Sequence, residues 1–367
     1  MSLLALAYPY ILYPAILKSF PAHPVGQIPR NSRRGSEFAL LFCAYNEASS
    51  IGKKIDNIRD LATAYPDLEV LAYDDCSSDG TADMLESSGL GIRVVRGTHR
   101  TGKAHGMKLL ASATQREFLV FTDANVVLEV EALNHLLASY GDANVGGVCG
   151  LLEYVDSKGT PTAHVGDLYW RLEEQIKSAE SRSGNVMGAD GSIFSIRRVL
   201  YPEFPDTVLD DLTVSMAVVL DRYRLVKVPG VVAREQLVTS RNDDFRRRIR
   251  IATRSYHTHL WLRPKIESLP FGDRWRYWSH RQMRWYGAAF LVVAVVSGLA
   301  ALSLSTSWIV GLFSGAMLAI VTAAGSSMSL GPISALVHIC SSILLTGLGV
   351  LRAHRGDTVT TWKPPAR

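Results

Sequence analysis

Asp123 and Asn125 stand where an apolar run stops, in REFLVFTDAN (116–125): an acid, a small residue, then an amide. Such residues turn a chain well, so they either reverse a strand or hold something charged. Acids recur in pairs elsewhere, as Asp74 and Asp75 in YDDCSSDGT and as Asp210 and Asp211 in LDDLTVSMAV. One acid of the first pair could form an Asx-turn before SSDG. One acid of the second could cap the apolar-periodic helix it opens. GTHRTGKA (97–104) nearly reproduces the phosphate-cradling loop G-x-x-x-x-G-K-[ST]. Its last position fails, because Ala104 lacks the hydroxyl that would hold Mg2+. That reading, a membrane-linked P-loop NTPase, also leaves the four paired acids without a task.

The elements that must position these residues are legible. FALLFCAY, LEVLAYDD, IRVVRG and EFLVFTDAN read as strands, and helical patterns follow each of them. A β-α-β-α order predicts an α/β fold, with a mostly parallel, Rossmann-like sheet and helices on both faces. Sheets of this kind bind ligands beyond the C-terminal ends of their strands. Asp74, Asp75 and Asp123 fall at such ends, which favours the functional reading over the turn.

Six segments occur in one order: CAYNE (43–47), YDDCSSDGT (73–81), TGKAHGMK (101–108), FTDAN (121–125), GADGSIFSIRR (188–198) and LDDLTVSMAV (209–218). Together they resemble glycosyltransferase family 2, in particular its membrane-embedded members related to cellulose, chitin and hyaluronan synthases. The resemblance runs from about Phe38 to Thr258 and extends to the anchoring helices. It implies a GT-A fold and inverting transfer of a sugar from a nucleotide-diphosphate sugar, with UDP expected, to a growing polysaccharide; a lipid-linked acceptor taking one sugar is the alternative. It implies Mg2+ or Mn2+ held by Asp123 and Asn125, the latter in place of the second acid of a D-x-D motif. It further implies donor contacts from Ala44, Glu47, Asp74, Asp75, Lys103 and Asp123. Asp211 is the expected general base, with Asp210 orienting it, and Asp190 an expected acceptor contact. FRRRIRIATRSYHTHLWL (245–262) aligns with the Q-x-x-R-W motif: Arg250 falls on its Arg, Arg247 replaces Gln and Ile251 replaces Trp. Tyr256 or Trp261 could take over the stacking role of that Trp. The same segment, read without the resemblance, suits a basic helix at a membrane surface.

The chain has 367 residues, 47% hydrophobic and 20% charged, with a net charge of +5. The apolar residues are concentrated. GAAFLVVAVVSGLAALSLS, WIVGLFSGAMLAIVTAAGSS and GPISALVHICSSILLTGLGVL each have the length of a bilayer span. Gly311 and Gly315 have the spacing of a helix-packing face. The expected layout is an N-terminal membrane anchor helix (1–20), a Pro-rich linker (21–36), a cytoplasmic catalytic domain (37–240), amphipathic interface helices (241–286), about three transmembrane helices (287–351) and a basic tail (352–367). Lys18, Arg30, Arg33 and Arg34, with Arg274, Arg276, Arg281 and Arg284, flank the apolar segments and place the intervening domain in the cytoplasm of a multi-pass inner-membrane protein. The excess positive charge sits beside these segments and points to anionic lipid rather than nucleic acid. Export or accessory subunits are further expected partners. Four crossings would put both termini outside the cytoplasm, although the basic tail favours the inside. The four cysteines show no metal or disulfide spacing and read as reduced thiols.

Overall fold

The computed structural model describes residues 1–25, 37–155, 161–236, 241–327 and 332–361. Eight strands form one sheet in the order β3-β2-β1-β4-β7-β6-β8-β5. They are β1 (Phe38–Ala44), β2 (Glu69–Asp74), β3 (Arg93–Arg96), β4 (Phe118–Asp123), β5 (Val127–Leu128), β6 (Val145–Val155), β7 (Ile193–Arg197) and β8 (Arg224–Gln236). The strands β3, β2, β1 and β4 are parallel, as their alternation with helices requires. Beyond β4 the sheet changes character. β7 runs antiparallel to both β4 and β6, β6 and β8 are parallel, and β5 closes the edge antiparallel to β8. The sheet is therefore mixed rather than mostly parallel. Register shifts near Gly147 and Cys149 bend the β6–β8 pair.

The central strands are buried from end to end, with every residue of β1 covered. Two apolar clusters, one on each face, flank them. Leu41, Leu71, Met107 and Phe121 belong to one, and Leu40, Ile51, Ile58 and Val120 to the other. Alternate residues of the same strand feed opposite clusters, as the pleat dictates. The helix Lys103–Ser112 lies close to the sheet at Gly106, where a Cβ would meet the Tyr73 ring at 2.3 Å and Cys43 Sγ at 2.8 Å.

The helix Arg241–Ile266 packs on the sheet domain: Arg254 donates to the Val208 carbonyl at 2.8 Å, and the Leu209 amide donates to Thr258. The C-terminal helix Pro332–His354 runs parallel alongside it. His338 faces Asp244 at 3.6 Å, Gly349 sits against Ala252 and the Ile249 carbonyl, and His354 bonds Tyr256 at 2.8 Å. Among the described residues two helices, Gly287–Ser305 and Leu336–His354, are long and apolar enough to cross a membrane. Ser2–Lys18 is a shorter apolar stretch, and the helix Trp308–Ser327 spans 20 residues.

Three contacts bear on the expected layout. In the N-terminal helix Tyr13 and Leu17 are fully buried, and Arg182 donates to the Leu17 and Lys18 carbonyls. Most of the arginines before the apolar segments are spent internally. Arg276 donates to the Ser183 carbonyl, Arg281 to those of Met187 and Gly188, and Arg284 pairs with Glu173. Finally, the tail returns to the catalytic domain. Thr358 Oγ1 donates to the Thr207 carbonyl at 3.4 Å, and the Thr360 carbonyl lies 2.2 Å from where a Cβ on Gly102 would be. The C-terminal tail thus contacts the sheet domain, from which an odd number of crossings after it would separate the tail.

Candidate active site

The C-terminal ends of β1, β2 and β4 carry the site. Ala44 pairs with Asp74 in register, and the Asp75 amide donates back to the Ala44 carbonyl at 2.9 Å. Asn46 and Cys76 adopt positive φ, so both loops turn sharply off the sheet. Glu47 begins the helix Ala48–Ala64, is buried, and accepts from Ser50; its amide donates to Thr81. Asp74 Oδ2 accepts the Ser77 amide at 3.0 Å, while Oδ1 is buried without a partner. An orphaned carboxylate oxygen at a strand end calls for a donor from elsewhere.

Asp75 behaves differently. It is fully buried and accepts from Arg100 Nε at 2.9 Å, the Thr101 amide at 2.7 Å and the Gly102 amide at 3.1 Å. These bonds fix the 97–102 loop. They also turn inward the Thr101 and Gly102 amides that a P-loop would offer to phosphate, which removes the NTPase reading. Arg100, held by Asp75, lies 3.2 Å from the centroid of the Tyr45 ring.

Lys103, next in the chain, points to the centre of the site. Its Nζ is 2.6 Å from Asp123 Oδ1 and 3.8 Å from Asp210 Oδ2. Burial opposes its charge, but Asp123, Asp210 and Asp211 outweigh burial and hold the ammonium above the ordinary lysine range. Gly191 lines the same spot. A Cβ there would lie 2.8 Å from Lys103 Nζ, 3.3 Å from Asp211 Oδ2 and 3.8 Å from Asp123 Oδ2. Asp210 is buried in the first turn of the helix Asp210–Leu220 and Asp211 follows it; the cap position itself belongs to Leu209. The capping reading of these acids is therefore set aside. Burial, and then the charge of Asp210, push Asp211 up to about 7 against the pull of Lys103.

The Asp123–Asn125 turn is held from beneath. Buried Lys54 donates to the Val126 carbonyl at 2.8 Å, and Asn57 exchanges hydrogen bonds with the Leu128 backbone. Burial pulls Lys54 down to about 7. Asn125 Nδ2 donates to Glu235 Oε1 at 2.7 Å, which leaves its amide oxygen to face the other way. Asp123 and Asn125 thus present hard oxygen atoms that suit Mg2+ or Mn2+. Among the described residues no three acidic, His or Cys side chains form a ready-made metal cage. A cation here would complete its coordination with ligand oxygens, as Mg2+ commonly does with phosphates.

Arg247, Arg250 and Arg254 recur at helical spacing on Arg241–Ile266 and form one stripe. Arg247 and Arg250 both interact electrostatically with Asp123. Burial, and then the like charges of Arg247 and Arg254, pull Arg250 down to about 10. Burial opposes the Arg247 charge, but Glu235, Tyr154 and Asp123 outweigh it, so Arg250, set among like charges, is the guanidinium an anion would stabilise most. On the opposite side, Asp190 accepts from Lys177 Nζ at 2.7 Å and from Ser192. Burial pushes Asp190 up, but Lys177 and Ser192 outweigh it and hold the carboxyl below its ordinary range.

Of the residues expected at the site, Tyr256 is not brought there. It is buried between helices, bonded to His354, with Trp285 and His259 rings against it. Trp261 is half-buried against the same cluster. Sequence reasoning missed Gly191, Lys54, Glu235, Arg100 and Lys177. Gly191 was visible inside GADGS, next to Asp190, but nothing in the sequence says how closely Lys103 approaches it.

Residues 40–204 match the family model of glycosyl transferase family 2. Over these residues the chain is similar to that family, and its α/β fold is GT-A-like. Over the whole chain the fold is similar to that of a mannosyltransferase, PcManGT from Pyrobaculum calidifontis, in complex with GDP-Man and Mn2+. The identity is 22% and the TM-score 0.74, covering 95% of this chain and 96% of that one. TarS 1-349 of S. aureus in complex with UDP matches at 15% identity and a TM-score of 0.46, over 88% of this chain and 92% of that one. No curated protein matches the chain.

Proposed function

We propose that the chain is a membrane-associated, metal-dependent, inverting glycosyltransferase that adds a single sugar from a UDP-sugar to a lipid-linked acceptor. The observation that carries this reading is the meeting of opposite charges at one strand edge. Asp123, Lys103, Asp210 and Asp211 converge there, beneath the Arg247 and Arg250 stripe. A nucleoside diphosphate needs cations for its phosphates, an acceptor hydroxyl needs a base, and the two must be adjacent. Nucleotide-sugar use is also supported by the neighbour of like fold, whose complex holds GDP-Man and Mn2+.

Asp74 Oδ1 supports uracil as the base. With Oδ2 committed to the Ser77 amide, one oxygen is open, and uracil offers one ring N–H. Guanine offers two adjacent donors and would want both oxygens. Asp123 and Asn125 would hold the divalent cation, whose charge offsets that of the leaving diphosphate. Arg247 and Arg250 bind the same phosphates from the helix above. Asp211, with a pKa near neutrality, accepts the acceptor's proton, and Asp210 keeps it basic. Attack by that hydroxyl on the face opposite the diphosphate inverts the anomeric centre. Asp190, fixed by Lys177, receives an acceptor hydroxyl.

The lipid-linked acceptor is preferred to a growing polymer on one ground. The exposed Ile251 stands where processive synthases carry the stacking Trp. The test is transfer by the full chain in lipid nanodiscs with Mn2+, using radiolabelled UDP-glucose, UDP-N-acetylglucosamine and GDP-mannose and a membrane lipid extract. A labelled product that partitions into organic solvent and carries one sugar is expected. Polymer on a sizing column would move the acceptor to polysaccharide. ATP hydrolysis without transfer from any donor would sink the reading.

A further inference from the structure

Lys103 and a divalent cation compete for the same carboxylate. Lys103 Nζ lies 2.6 Å from Asp123 Oδ1, with Asp210 at 3.8 Å and Asp211 across the Gly191 gap. Asp123 is also the single carboxylate of the D-A-N turn, since Asn125 contributes no charge. A metal ion reaching Asp123 without a nucleotide meets the ammonium's positive charge on the same carboxylate, and takes Oδ1 only by displacing it. The displaced ammonium would be left largely buried, its side chain only 18% exposed, without its closest counter-charge. That is costly in a poorly solvated site. A diphosphate changes the balance, because it brings several anionic oxygens to which the ammonium can transfer.

We infer that Lys103 is a placeholder cation: it holds Asp123 against free metal and gives the site up when the diphosphate arrives, so that metal and donor bind together. The inference rests on the donor reading proposed above and adds an order of binding to it. Gly191 is part of the device. A methyl group 2.8 Å from Nζ would crowd the ammonium out of its seat, so the residue facing it can only be glycine without a shift of the lysine. The arrangement also protects a cluster of three acids from mutual repulsion while the site waits for donor.

The test is Mn2+ binding, followed by electron paramagnetic resonance of the free ion, on full-length protein in nanodiscs with and without UDP. Without nucleotide, Lys103→Met is expected to bind Mn2+ at least about tenfold more tightly than wild type. With UDP the two affinities should converge, so the enhancement of Mn2+ binding by UDP shrinks at least about tenfold in the variant. Equal Mn2+ affinity for the variant and wild type without nucleotide, with UDP binding intact, overturns the inference and leaves the donor reading standing. Failure of wild type to bind UDP or GDP overturns both. Acetylation of Lys103 in the wild type, read by peptide mass spectrometry, needs no variant. It should rise at saturating Mn2+ without nucleotide, and an unchanged rate contradicts the displacement.

Discussion

At the residue scale, Asp211 carries the sharpest expectation. Asp211→Asn should lower sugar transfer by about 10²–10⁴-fold, because an amide cannot accept the proton. UDP binding by calorimetry should be nearly unchanged, and wild-type transfer by the variant would remove Asp211 from the chemistry. The pH profile follows from its elevated pKa of about 7. The ionised form is the base, so transfer should rise with pH through about 7 and that limb should vanish in the Asn variant. The effect on stability has the opposite sign. Folding raises this carboxyl well above its unfolded value of about 4, so the retained proton stabilises the fold at low pH, and that contribution is lost as pH rises through about 7. Asp211→Asn should therefore raise the Tm at pH 8 relative to wild type. Asn125 shows why an amide stands where an acid was expected. An Asp there would face Glu235 at the 2.7 Å now spanned by a hydrogen bond. Asn125→Asp alone should lower the Tm at neutral pH, and adding Glu235→Gln should restore it with tighter Mn2+ binding. Unaltered stability of the single variant would argue against that contact.

At the element scale, the parallel half of the sheet was legible and the other half was not. FALLFCA, EVLAYD and FLVFTD are continuous apolar runs that end in turn-forming residues, and each is a strand of the structure. The later strands give a weaker signal. VGGVCGLLEYV carries three glycines, and its pairing with β8 is long-range and interrupted by register shifts, which no local pattern encodes. The arginine stripe was legible as spacing, but its partner surface was not, because Asp123 lies more than a hundred residues earlier. Arg250→Ala should weaken UDP binding by roughly 10- to 150-fold, the range of a lost hydrogen bond to a charged group of about 1.5–3 kcal/mol. Since Arg250 sits among like charges, its removal should not lower the Tm. Unchanged UDP affinity would detach the helix from the donor. Gly106 is a purely packing position: Gly106→Ala drives a methyl into Tyr73 and Cys43 and should cost about 1–3 kcal/mol in thermal unfolding.

At the scale of the whole molecule, hydropathy found the apolar helices but could not say which are covered. Pro332–His354 is apolar by composition, yet its Ser334, His338 and Ala353 are buried. Three crossings after residue 286 would also strand the tail away from Thr207 and Gly102, where it lies. A Thr358→Cys variant, made with Cys76 and Cys340 replaced by Ser, should react with an impermeant thiol reagent only after the cytoplasmic side is opened. Labelling of sealed cells would reverse this topology. The tail contact has a kinetic meaning as well. Thr360 beside Gly102 lies six positions beyond His354, which is bonded to Tyr256, and such a tether reaches at most about 20 Å when extended. If the segment lifts away, it stays at an effective concentration in the millimolar range above the loop it left. A peptide of the same sequence added in solution would need millimolar amounts to compete with it, whereas moving the anchor point at His354 would change its occupancy at no cost in contacts.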